Sequence, residues 1–268
     1  MDKLVEDEFL KVKDDFIFGD QIAPAGSKIQ IVSKQGQYNG LTLRIPPPEF
    51  EGLLLNTAID SAAKAFLMQK EIPTIKSDFD GIKEVELTSD AKRQFFQYCQ
   101  QVMISSAFSV SAIESWANKT IQLLGRGKNL QPIKLEFENL KGKKSYFNSD
   151  QIASQRSITL VPKLFQLVPQ VLNSKTLKPH STLRKKLVTI IEDRNAVMHM
   201  QQDLNIDEQL IKRSDFAVKM FVTNPFDSVS TILKIINFFY ENSDNEQPDW
   251  LAYNEQELTK IQRKYKGL

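Results

Sequence analysis

One cysteine, Cys99, and two histidines, His180 and His199, are all that 268 residues offer in the way of thiols and imidazoles. A lone thiol closes no internal disulfide, which leads us to expect a reducing, cytoplasmic setting. A zinc site of the His/Cys kind would need nearly all three side chains together with carboxylates at no recognisable spacing, so neither a metal nor any other cofactor is expected. Long apolar runs are missing too. No stretch of about 18 apolar residues is present to span a bilayer, and Met1-Asp2-Lys3-Leu4-Val5-Glu6 has no signal-peptide core, so no membrane partner is expected. Nor is there a glycine-rich phosphate loop or dinucleotide fingerprint: Gly125-Arg126-Gly127-Lys128 is too short and follows a helical pattern.

Acidic residues vanish between Asp150 and Glu192, a stretch that holds Arg156, Lys163, Lys175, Lys178, Arg184, Lys185 and Lys186. Over residues 126–191 the balance is thirteen basic against three acidic side chains, a net +10, so the remainder carries −8 within an overall charge of +2. Such an asymmetry is either a set of solvated faces or a phosphate-attracting surface.

What is present reads as mainly α. Residues 1–48 form an appendage, in which Ser27–Ser33 and Leu41–Ile45 alternate apolar and polar residues around Gly36 and Asn39-Gly40, the pattern of a small β-hairpin. Pro46-Pro47-Pro48 ends it, and a helical domain is expected over 49–245, opening on a helix from Glu49 that carries Phe50, Leu53, Leu54, Ile59, Ala62 and Phe66. From Ile82 to Leu124 neither glycine nor proline occurs and most of the span has a helical period. Its stripe is Phe95, Cys99, Val102, Ser106, Ser109, Ile113, Trp116, Thr120 and Leu123, and the small residues around Ser105–Ala112 suit either a close helix crossing or a break.

Residues 125–150 look like an inserted loop or short hairpin. Leu160–Leu172 is an apolar segment with Pro162 in its first turn and Pro169 placed to break or kink it. Ser181 or Thr182 can cap a helix with the stripe Leu183, Leu187, Ile190, Ile191 and Val197. After a polar linker, Asn224 can cap another, with Phe226, Val229, Leu233, Ile236 and Tyr240 on one face. The remainder, 246–268, reads as a tail or a short helix from about Glu255.

The sharpest chemical feature is Arg194-Asn195, three further residues and then His199, at the end of the Ser181-capped helix. Imidazole exchanges protons near neutral pH, a guanidinium fork grips phosphate oxygens, and a carboxamide can orient either. On a straight helix Asn195 and His199 share a face, whereas Arg194 and His199 stand roughly 140° apart. The alternatives are a reach-around, a distortion or a second copy of the motif. Glu114, Trp116 and Lys119 are not assigned to catalysis, and His180 is read as a loop residue.

This pattern resembles the R-x(4–6)-H signature of the HEPN superfamily, in the version with a polar residue directly after the arginine. The resemblance covers the motif and, more loosely, the helix order from about Glu49 to Asn242. With eight arginines, two histidines and 14 asparagines, a shuffled chain shows the arginine–histidine spacing roughly one time in five, and with the adjacent asparagine about one in a hundred. The resemblance implies a HEPN-like helical bundle that dimerises through the face around residues 183–199, so that two motifs line one cleft. It further implies a metal-independent endoribonuclease leaving 2′,3′-cyclic phosphates, in phage defence, toxin or stress response. Arg194 would stabilise phosphate, Asn195 orient it and His199 move the proton. Arg156, Lys175, Lys178, Arg184, Lys185 and Lys186 would guide RNA, and an antitoxin or other regulatory partner is compatible with the family. Met200-Gln201 stand where members silenced by AMP transfer have a tyrosine two residues after the histidine, which argues against that control. The competing readings are a non-catalytic HEPN module for RNA binding or protein interaction, and a helical scaffold in which the motif is coincidental.

Overall fold

Small side chains at the middle of two long helices set the architecture. The computed structural model describes residues 9–11, 16–18, 21–23, 28–30, 36–38, 41–43, 49–72, 74–79, 82–88, 91–125, 128, 130, 133–134, 144–145, 158–198 and 215–266. Helix α1 (Phe50–Glu71) buries Leu55, Ala58, Ile59, Ala62 and Ala65 against α2 (Ala91–Leu124), which offers Ser109, Val110, Ala112, Ile113 and Ala117. Alanine and serine let the two backbones approach closely, and α2 runs unbroken for 34 residues, about 51 Å. The small residues therefore serve the crossing and no break occurs. α1 ends at Ile72, whose extended backbone (φ −67°, ψ 115°) is the conformation forced on a residue that precedes proline.

The remaining helices wrap this pair: α3 (160–172), α4 (Thr182–Met198), α5 (215–222), α6 (Asp227–Glu241) and α7 (Asp249–Lys266). The protein is mainly helical, as expected. The main core gathers Leu55, Ile59, Ile113, Leu164, Leu187 and most of α6, with Val229, Ile232, Leu233, Ile236 and Phe239 sealed from solvent. Trp116 stacks on Phe239 at 5.8 Å and donates its indole N–H to the Tyr240 hydroxyl at 3.2 Å. A smaller cluster, with Tyr98, Cys99, Ala65 and Met220 at its centre, joins α5 to the α1–α2 pair. Within the expected stripe of α2, Leu123 is 63% exposed, and the last turn faces the core instead through Ile121, which is fully buried, and Leu124, which is partly buried.

Several expectations need correction. The helical part of the glycine- and proline-free span starts only at Ala91; ahead of it Ile82–Leu87 is a strand (β8) paired with Thr74–Phe79 (β7), Phe79 opposite Ile82, with Asp80-Gly81 between them in the sequence. That dipeptide between two β-prone runs is a hairpin signal in its own right. In the N-terminal region β1 (Phe9–Lys11) pairs with β4 (Lys28–Gln30), β2 (Phe16–Phe18) with β3 (Gln21–Ala23), and β5 (Gly36–Tyr38) with β6 (Leu41–Leu43). The described parts of the two alternating runs, Lys28–Gln30 and Leu41–Leu43, therefore have different partners. Between α2 and α3, β9 (Ile133–Lys134) meets β10 (Lys144–Ser145).

Pro169 does not break α3. Leu160–Pro162 passes through a π-helical turn, Lys163–Leu167, into Val168–Leu172, and the Val168 N–H reaches back five residues to the Lys163 carbonyl. Proline has no N–H for the carbonyl four residues earlier, and the wider turn carries the chain past it. Asn173, at φ 52°, closes the segment in the left-handed cap that asparagine tolerates, and the Ser174 N–H bonds the Pro169 carbonyl at 2.9 Å. At the other end of the chain, α7 begins at Asp249, six residues before the expected start. Its Trp250, Leu251 and Leu258 enter the main core, and the fully buried Asn254 amide donates to the carbonyls of Trp250 and Gly52.

Candidate functional site

α4 starts where the hydroxyl of Ser181 accepts the N–H of Arg184 at 3.3 Å, a cap that settles the choice between Ser181 and Thr182. Leu187 is sealed in the core, with Leu183, Ile190 and Ile191 partly buried beside it. This fixes the rotation of the helix and sends its polar residues to two sides. Arg194 comes to lie against α2, its Nη2 3.4 Å from Glu114 Oε2, with the side chains 24% and 42% exposed. Its Nε is closed off from solvent without a hydrogen-bond acceptor among the described residues. Asn195 is exposed. His199 lies outside the described residues.

Next to Arg194 opens a mostly apolar pocket of about 60 Å³ formed by Val102, Met103 and Ala107 of α2 with Phe216 and Met220 of α5. It adjoins a longer groove of about 280 Å³ that runs along α4 past Asp193, Ile190, Thr189, Lys186 and Lys185, with Ser228 and Thr231 of α6 opposite. Ser106, Asp193, Lys219, Thr223 and Ser228 belong to both cavities, so the two form one continuous depression. Lys219 of α5 and Asp193 of α4 form an ion pair at 2.5 Å within it.

The sequence pattern places α5 within a polar linker, and the structure makes it a helix. Three of its last four carbonyls accept hydrogen bonds: Lys219 from the N–H and hydroxyl of Thr223, which follows it, and, from distant parts of the chain, Met220 from the Tyr98 hydroxyl at 2.7 Å and Phe221 from the Gln69 amide at 2.5 Å. Asn224-Pro225 then stops it, and the Asn224 carboxamide accepts the Phe226 N–H at 3.0 Å to lead into α6. Tyr98 is fully buried, and burial, with the neighbouring Cys99 adding to it, pushes its phenol well above the usual range. Burial likewise raises the Cys99 thiol to about 11, so it stays protonated and unreactive at neutral pH.

The expected RNA-guiding set is divided by the fold. Lys185 and Lys186 are exposed and line the groove. Lys175 and Lys178 are exposed in the segment before α4, as is His180. Arg184 is occupied elsewhere, its guanidinium 4.5 Å over the ring of Phe165. Arg156 lies outside the described residues. Lys163, counted in the sequence as part of the basic run, is 5% exposed and donates to Asn118 Oδ1 at 2.8 Å. Burial lowers its pKa, an effect partly opposed by the charge of Glu114.

Two groups went unassigned in the sequence. Glu114 carried no local signal, because a lone carboxylate on an amphipathic helix reveals nothing about an arginine 80 positions away. Lys219 lies on a helix that was not foreseen. Among the described residues no cluster of three or more His, Cys, Asp or Glu side chains is placed to hold a metal ion, and no helix is long and apolar enough to cross a membrane. No protein-family model, curated protein or solved structure matches the chain.

Proposed function

We propose that the chain is a metal-independent endoribonuclease of the HEPN type, acting as a homodimer in a defence or stress setting, with Arg194, Asn195 and His199 as the reacting set. One observation carries this reading: the Arg194-Asn195 pair, spaced from His199 as in that superfamily, stands on α4 beside a groove lined by Lys185 and Lys186. In the reaction an imidazole takes the proton of a ribose 2′-hydroxyl, the 2′-oxygen bonds to phosphorus, and the bond to the 5′-oxygen breaks as that oxygen gains a proton from a second acid. The paired motif of a dimer supplies two imidazoles for these two roles. Arg194 offsets the charge that builds on the phosphate, and Asn195 orients it. Glu114 supports the same reading by holding the guanidinium ready. An ion pair this exposed is weak, on the order of 1 kcal/mol or less, so a phosphate can replace the carboxylate.

The same ion pair also favours a second reading, in which Arg194 is spent on packing and the protein binds RNA without cutting it. Incubating the purified protein with total RNA and a metal chelator separates the two. Cleavage that falls by at least about a hundredfold in His199→Ala and Arg194→Ala, with circular dichroism unchanged, supports the enzyme. Retention of RNA without products in all three proteins supports the binding module.

A further inference from the structure

We propose that Lys219, together with Lys185 and Lys186, forms a second phosphate subsite in the α4 groove, and that Asp193 occupies it when no ligand is bound. The ligand, a phosphodiester backbone, rests on the ribonuclease reading above. The subsite itself rests on geometry.

α4 places Lys185, Lys186, Thr189 and Asp193 along one side of the groove, at the three- and four-residue spacings that share a helix face. Lys186 and Asp193 are seven residues apart, about 10 Å along the axis, long enough for consecutive phosphates. The facing wall supplies Lys219 and Thr223 around the end of α5, and Ser228 and Thr231 from α6. Ammonium groups on both sides with hydroxyls between them suit an anion whose several oxygens each accept a hydrogen bond. Arg194 lies at the neighbouring pocket, so a backbone held here leads toward the motif.

Two carboxylates line the groove, Asp193 and Asp227. Asp193 makes direct contact with Lys219 at 2.5 Å, across from α4 to α5, with 47% of the lysine side chain and 30% of the aspartate exposed. A pair this open to water exchanges readily for another anion. Asp193 is therefore a competitor for the site, and removing its charge should strengthen binding.

The test is fluorescence polarisation of a short 2′-O-methylated RNA, which binds but has no free 2′-hydroxyl to react, using the intact protein in chelator. Each lysine–phosphate contact to a single strand contributes a salt slope of about 0.7, or about fivefold in affinity per tenfold change in salt. Lys219→Gln should weaken binding about fivefold at 0.1 M salt and flatten the slope by about 0.7, and Lys185→Gln with Lys186→Gln should do more. Asp193→Asn should strengthen binding by about fourfold, the Coulomb effect of one charge about 5 Å away in water-like surroundings. Lys260→Gln, on α7 and paired with Glu257, should change nothing. Asp193→Asn and Lys219→Gln break the same ion pair, so a purely structural role would move both in one direction. Opposite signs support the subsite, and equal signs or no change overturn it. Inorganic phosphate and mononucleotides serve as competitors: displacement of the RNA by millimolar mononucleotide as effectively as by an equal concentration of RNA nucleotides would overturn the polymeric ligand. If the wild type cleaves RNA while the Lys219 and Asp193 variants bind like it, the subsite alone fails. If the wild type neither binds nor cleaves RNA, the ribonuclease reading fails with it.

Discussion

Replacing Tyr98 with phenylalanine removes one oxygen from a fully buried ring and leaves the Met220 carbonyl, near the end of α5, without its 2.7 Å donor. The aromatic packing against Phe95 and Phe221 is retained, so the loss is essentially one hydrogen bond. A buried acceptor left unpaired costs about 1–3 kcal/mol. For a domain of this size that lowers the melting temperature by about 3–10 °C. Urea denaturation should give the same free-energy loss with an unchanged slope, and hydrogen exchange should quicken across 215–222 before it does so in α6.

A second signature follows from the raised phenol. The folded pKa lies above the unfolded value of about 10, so the folded state keeps a proton that the unfolded chain has lost, and wild-type stability falls as pH rises above 10. Phenylalanine has no such term, and the penalty of the substitution should shrink as the solution becomes alkaline. A loss below about 0.5 kcal/mol with exchange across 215–222 unaltered would refute the idea that outside side chains hold α5 in place.

Further outcomes can be checked in the same way. Lys163 has a folded pKa below its unfolded value near 10.5, so between the two the unfolded chain binds more protons and stability rises with pH. Tyr98 and Cys99 act in the opposite sense above pH 9, so the quantity to measure is the stability of wild type minus that of Lys163→Met. This difference should grow as pH approaches 10.5, and a flat or falling difference would contradict the placement of Lys163. Gly125→Ala should destabilise by about 1–3 kcal/mol in thermal melts, because a Cβ there would lie 2.4 Å from the Ile121 carbonyl oxygen, which is backbone and held in place. Ser181→Ala should cost about 1 kcal/mol through loss of the α4 cap, whereas Thr182→Ala should cost far less.

Where the controlling chemistry is local, the sequence was legible. Ser181 caps the helix start that its position suggested, and the spacing of Val229, Leu233 and Ile236 describes the buried face of α6; Asn224 stands too early to cap that helix, which starts at Asp227, and its carboxamide accepts the Phe226 N–H in the turn before it. The failures share a physical origin in partners far along the chain. α5 is an eight-residue segment whose end is stabilised by Gln69 and Tyr98, 152 and 122 positions away, so local propensity had little to report. The charge run is divided by the fold for a related reason. Lys163 and Arg184 count as two positive charges in the sequence, yet one is buried against Asn118 and the other lies over Phe165, leaving Lys185 and Lys186 to line the groove. Asp80-Gly81 was a local signal that the absence of glycine and proline in the following 43 residues overshadowed. Pro169 was correctly seen as incompatible with a regular α-helix, but a π turn absorbs it where a break was also possible.

The reaction itself is tested most directly by the mass of the 3′ ends that the purified protein leaves on a defined RNA in the presence of a metal chelator. Fragments ending in 2′,3′-cyclic phosphate, formed by the wild type and absent with His199→Ala, are the expected result. Intact RNA with the wild type, or the same termini still produced by the folded His199→Ala protein, would contradict it.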